Sequence, residues 1–216
     1  MAPAETPVRR VEIVLDIICA HSYIGYARFT EAARRFRADG GRLEVTFLPF
    51  QLDQDSTSEG EPLIPVLLRK FGPDALASTE RVAKTAAADG LDLRFAEVVH
   101  TQTFDAHRQI LHAARSGRAE EMTERLFRAY FTEGLNVADP DVLAGLGQEV
   151  GVDKPMADGE GTEETRTMLE QVHHRMRVRS IPQFLFDDGT VLSGAQPVSA
   201  FEAALRAAAP HVNAHD

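Results

Sequence analysis

The sequence predicts an α/β fold in which a βαβ half and a ββα half share one sheet, with an inserted α-helical domain between them. Three observations predict it. An apolar run from Val11 to Ile18 gives way to helical spacing and then to a second alternating run, all within about forty residues. The long block that follows carries helical periodicity and no convincing strand. Alternation then returns in two short runs from Gln183, ahead of a last amphipathic helix.

Each element has its own signal. Val11, Ile13, Leu15 and Ile17 alternate while Val14 and Ile18 fill the opposite face, as in a strand buried on both sides. From Ser22 to Ala38, Tyr26, Phe29, Ala33 and Phe36 recur at helical spacing, and Gly40-Gly41 stops the run. Leu43 to Phe50 alternates through Leu43, Val45 and Phe47, which completes a βαβ unit with an expected right-handed crossover. Pro62 to Phe71 and Pro73 to Ala88 read as helices opened by proline. Asp105 to Arg115, Ala119 to Thr132 and a helix opened by Asp139-Pro140 and ended before Gly151 come next. After the polar stretch Asp158 to Glu164 a last helix of the block runs to Arg177. Gln183 to Phe186 and Thr190 to Ser193 flank Asp187-Asp188-Gly189 as a hairpin. Pro197 then opens a helix with Phe201, Ala204, Leu205 and Ala208 on one face. This order is the thioredoxin arrangement over residues 8–61 and 178–212, interrupted by a helical domain over 62–177. The tail His211 to Asp216 is expected to fray.

Composition narrows the function classes. Cys19 is the only cysteine of the 216 residues, so no intrachain disulfide forms and an oxidising compartment is not required. The N-terminus is polar, and the apolar run behind it is too short and too acidic for a signal peptide or a membrane span. A cytoplasmic protein is expected, with no membrane partner. A net charge of −10 argues against a nucleic-acid partner. Arg175, Arg177 and Arg179 form a basic cluster that reads first as a solvated helix face.

Cys19 stands where the first strand ends and the first helix begins. Unpaired N–H groups and the helix dipole favour a thiolate there, and His21 adds to this if it is protonated or donates to the sulfur. Such a thiolate is a nucleophile for covalent or redox chemistry. The plain alternative is a small buried hydrophobe. Far along the chain, Ile181-Pro182 precedes a strand. It is either a simple strand-start proline or a cis peptide bond that turns Ile181 toward the thiol.

The stretches DxxCxxSYIG and SIPQFLFDDGTVLSGAQP resemble the DsbA family of thioredoxin-fold proteins, in particular its cytoplasmic FrnE-like branch. LPFQL (Leu48 to Leu52), TFDAHR (Thr103 to Arg108) and LFRAYFTEG (Leu126 to Gly134) extend the resemblance over nearly the whole chain. It implies that Cys19 is the nucleophile, Pro182 the cis-proline beside Ile181, and the helices from Pro62 to Arg177 the inserted domain. His107 falls in the segment resembling the family's AHR motif and is expected to line the substrate cleft, the alternative being a packing or capping histidine. Tyr23, with Ser22, resembles part of a segment of the kappa-class glutathione transferases and 2-hydroxychromene-2-carboxylate isomerases, and is a further substrate-binding candidate.

The chain departs from the family at the motif itself. Ala20-His21 stand where the branch has Pro-Trp, and Ser22 stands where the second cysteine belongs. A serine cannot resolve a mixed disulfide, so a dithiol oxidase cycle by this chain alone is excluded. Three classes of function remain. They are a monothiol oxidoreductase working through mixed disulfides, a thiol-dependent isomerase or transferase of a small molecule, and an inactive binding module. No tightly bound cofactor is expected, only a low-molecular-weight thiol as co-substrate. The partners implied are small-molecule or protein thiols and disulfides, and a homodimer stays open. His173-His174 and His107/His112 lack metal-site spacing, Glu120, Glu121 and Glu124 read as a solvated, acid-rich first turn of a helix, and no glycine-rich loop follows the first strand.

Overall fold

The computed structural model describes residues 7–152, 154–176 (without the side chain of Arg175) and 178–207. Ala208, Arg177 and the tail 211–216 lie outside these residues.

Four strands form one sheet in the order β2-β1-β5-β6. β1 (Val8–Leu15) pairs in parallel with β2 (Arg42–Pro49) and antiparallel with β5 (Gln183–Phe186), which pairs with β6 (Val191–Ser193). α1 (Ala20–Ala38) is the crossover between β1 and β2. The alternation along β1 is resolved by its two faces. Val11, Ile13 and Leu15 join the main core beneath α1 and α8 (Val198–Arg206), while Val14 packs on the other face with Leu48, Phe50, Val172 and Val178. Phe29 of α1, Phe184 of β5 and Phe201 of α8 close the first layer, with centroids 4.6–5.7 Å apart.

The strand begins three residues earlier than the apolar run indicates. Arg9 is buried, with ion pairs to Asp187 at 2.7 Å and to Asp188, a bond to the Ala204 carbonyl at 2.9 Å, and the Phe186 ring beneath its guanidinium. The predicted hairpin turn thus also supplies the counter-charge for a buried arginine. Burial alone would raise the Asp188 carboxyl, but the Arg9 guanidinium and Thr190 overcome it and hold the group at about 2.

Between β2 and β5 run α2 (Leu63–Phe71), α3 (Asp74–Ala88), α4 (Phe104–Ala114), α5 (Ala119–Phe131), α6 (Pro140–Glu149) and α7 (Thr162–Glu170). Two short strands interrupt this block, β3 (Glu61–Pro62) against β4 (Val99–His100), where no strand is expected. Two-residue strands leave no periodicity in a sequence. The last helix also changes winding, since Gln171–Arg175 forms a π-helical turn and Met176 ends it short of Arg177. The core is continuous. Met122, Leu126, Phe127, Leu143 and Leu146 of the helical block belong to the same buried cluster as Ile13 and Phe184 of the sheet. No helix among the described residues is long and apolar enough to cross a membrane.

Candidate active site

Cys19 is the N-cap of α1, with extended backbone angles (φ −92°, ψ 108°), and its sulfur accepts the backbone N–H of Ser22 at 3.4 Å. The turn Asp16–Cys19, closed by the Cys19 N–H on the Asp16 carbonyl at 3.1 Å, ends the strand and starts the helix. The expectation that this position makes Cys19 a favoured thiolate is corrected. The residue is only 8 % exposed, and burial pushes its thiol above the ordinary range. The Ser22 side chain, the Ser22 N–H and the backbone N–H of His21 pull the other way, and the charge of Asp16 adds to the rise. Removing a thiolate from water costs more here than a helix start returns.

Ser22 is fully buried, and its hydroxyl lies near the sulfur without completing a well-formed hydrogen bond. His21 is exposed and lines a cleft, so what reaches the sulfur from it is the backbone N–H and not the ring. That cleft, of about 560 Å³, opens between the start of α1 and the α2–α3 pair, with Cys19 on its wall.

The other candidates separate. Tyr23 is not on the cleft wall. It is buried and stacks on Phe127 with centroids 4.9 Å apart and on Phe131 at 5.9 Å, anchoring α1 to α5, and burial pushes its hydroxyl up to about 12. His107 does not line the cleft either. It is buried behind the site, where its Nε2–H donates to the Phe50 carbonyl at 3.0 Å, so the expected substrate contact is replaced by a packing role. The physical reason is reach: α4 lies against the end of β2, and the ring spans to the chain leaving that strand. The Ile181–Pro182 bond is cis. Pro182 approaches α1 where residue 25 is glycine, since a Cβ there would stand 3.0 Å from Pro182 Cγ and 3.4 Å from Ala195 Cα. Ile181 is half-buried against the Val14–Phe50 cluster, and neither it nor Pro182 lines the cleft. His112 is tied to Glu160 and the Lys154 carbonyl, and His173 packs on the Phe50 ring at 4.6 Å.

One residue of the site goes unread in the sequence. Asp16 has no exposed surface. Its Oδ2 accepts the Leu52 N–H at 2.7 Å, while Oδ1 has no hydrogen-bond partner and lies 3.5 Å from His107 Nε2. A carboxylate three residues before Cys19 therefore pins the backbone at Leu52, whose side chain forms part of the cleft wall, and opposes ionisation of the thiol. Its only signal is the acidic residue in the DxxC spacing, which lies inside the apolar run that reads as strand from Val11 to Ile18. Asp16→Asn keeps an oxygen for the Leu52 N–H and removes the charge. The midpoint of the iodoacetamide pH–rate profile of Cys19 should then fall, because the Asp16 charge no longer opposes the thiolate. An unchanged or raised midpoint would remove Asp16 from this account.

The comparisons with known proteins bear on the family and the fold. The uncharacterized protein YwbO of Bacillus subtilis is 26% identical over 203 residues, covering 90% of this chain and 94% of that protein. The crystal structure of the probable DsbA oxidoreductase of Streptomyces coelicolor matches with a TM-score of 0.78 at 30% identity, over 91% of this chain and 88% of that one. A 2-hydroxychromene-2-carboxylate isomerase shares the fold at a TM-score of 0.64 and 14% identity, over 91% and 94% of the two chains. The family described as DSBA-like thioredoxin domain matches residues 10–206, from β1 through the Cys19 helix start and the Ile181–Pro182 bond to the last turn of α8. With its sheet order, its thiol at the head of α1 and that match over nearly all of its length, the chain belongs to the DSBA-like thioredoxin domain family.

Proposed function

We propose that this protein is a thiol–disulfide oxidoreductase-type enzyme of the FrnE-like branch, with residues 62–177 as its inserted domain, acting through Cys19 alone. The observation that carries the reading is a single thiol on the wall of an open cleft, with Ser22 buried beside it where a resolving thiol would stand. The Cys19 thiolate attacks a disulfide R–S–S–R′. The old S–S bond breaks, R′–S⁻ leaves and takes a proton from water, and Cys19–S–S–R remains. An external thiol then attacks this mixed disulfide and releases Cys19. A low-molecular-weight thiol of the cytoplasm, where such thiols are abundant, fits that second role, and no tightly bound cofactor is needed. Pro182 and Ile181 serve as the cis-proline pair beside α1, with Pro182 packed against that helix at Gly25.

The test is intact mass after incubation with oxidised low-molecular-weight thiols. Wild type should gain one adduct, faster as pH rises because the thiol sits above its ordinary range, and Cys19→Ala should gain none. Absence of any adduct on wild type sinks the reading. A second reading, a thiol-dependent isomerase or transferase, is favoured by one observation: the cleft volume lies within the range of small-molecule sites.

A further inference from the structure

The walls of the Cys19 cleft are unequal in a way that bears on what the attacked sulfur carries. On α2, Leu63, Leu67 and Phe71 recur every fourth residue, so they form one apolar stripe facing the thiol. Leu52 faces them from the segment held by Asp16. Leu52 and Phe71 keep 53 % and 69 % of their surface exposed, although both are large and apolar. Apolar side chains left open around a nucleophile mark a place where apolar surface is meant to be covered. Against these apolar residues the wall carries one acidic side chain, Asp74, one basic one, Arg81, and the His21 imidazole, so it has no cluster of like charge.

We infer that the cleft selects a disulfide whose S-substituent is a small, uncharged, apolar organic group, and that Leu52 and Phe71 are specificity-determining residues for it. This rests on the reading of Cys19 as the nucleophile. The chemistry is the exchange written above, with the apolar disulfide as oxidant.

The experiment compares two probes of matched chemistry on the full chain, benzyl methanethiosulfonate and sulfonatoethyl methanethiosulfonate. In each, the thiolate of Cys19 attacks the divalent sulfur, a new S–S bond forms and methanesulfinate leaves. Rates are read by intact mass and divided by the rate of the same reagent with free mercaptoethanol. The normalised benzyl rate should exceed the sulfonatoethyl rate by about tenfold or more. In Leu52→Ser/Phe71→Ser the ratio should fall to about threefold or less, through loss of the benzyl rate. Both side chains are exposed and add little to the core, and a retained melting temperature verifies the fold of the variant. Equal normalised rates in wild type, or a faster sulfonatoethyl reaction, would overturn the inference while leaving Cys19 as the nucleophile. Failure of both probes to modify Cys19 would overturn the nucleophile reading and the inference with it. A peptide disulfide flanked by phenylalanines that reacts faster than the benzyl probe would move the specificity to protein thiols and overturn the small-molecule assignment.

Discussion

Ser22→Cys should turn this protein into a dithiol enzyme. The Ser22 N–H already bonds the Cys19 sulfur at 3.4 Å, and its side chain lies buried beside that sulfur. A sulfur in place of Oγ stands within bonding reach, at the helical spacing that puts two side chains on one face. On mild oxidation the variant should lose about 2 Da as an internal disulfide forms. Its adduct with an oxidised small thiol should be transient where that of wild type persists, because the new thiolate expels the bound group. Exchange between a reduced dithiol peptide and an oxidised small thiol should rise by on the order of tenfold or more. If the variant keeps a stable adduct like wild type, position 22 is not oriented for resolution, and the account of the site as a monothiol version of the family fails.

The largest loss of stability is expected from Phe127→Ala. Phe127 is fully buried, its ring lies parallel to Tyr23 within 8° and within 6.1 Å of Tyr26, and it joins α5 to the first turns of α1. Deleting the ring leaves a cavity that neighbouring rings cannot fill, at a cost of about 3–5 kcal/mol. For a chain of this length the melting temperature should fall by roughly 10 °C. A second readout separates this from a remote core defect. Tyr23 follows Ser22 directly, and burial is the leading cause of the raised Cys19 thiol. Loosening the head of α1 should let water to the sulfur and speed its alkylation at neutral pH. A destabilised variant with unaltered Cys19 reactivity would show that Phe127 supports the fold and not the thiol's surroundings.

What a sequence reveals of such a site depends on whether the signal is local. The start of α1, the β5–β6 hairpin and the helices of the inserted block follow from spacing that a dozen residues carry by themselves. Val8 to Arg10 did not read as strand because the charge on Arg9 is matched by Asp187 and Asp188, which arrive from the other end of the chain. The same distance hides the role of His107, whose partner is the backbone carbonyl of Phe50, a group no side-chain pattern announces. Tyr23 is a related case: its resemblance to a ligand-contacting segment is local, but the rings that claim it belong to α5. For Cys19, position suggested ionisation, and the competing influence was the extent of burial, which only the packed molecule determines.

The shared core has a mechanical corollary. α4 and α5 bury long rows of side chains in it, including Ala106, Ile110, Met122, Leu126 and Phe127. α2 buries only Leu63 and Val66 among the described residues, and α3 only Ala75 and Ala86. The helices that form the far wall of the cleft are thus less firmly moored than α4 and α5, while α1, which carries the sulfur at its head, buries eight residues. A wall so lightly held is expected to yield to the shape of an occupant before the anvil that bears the reacting atom does.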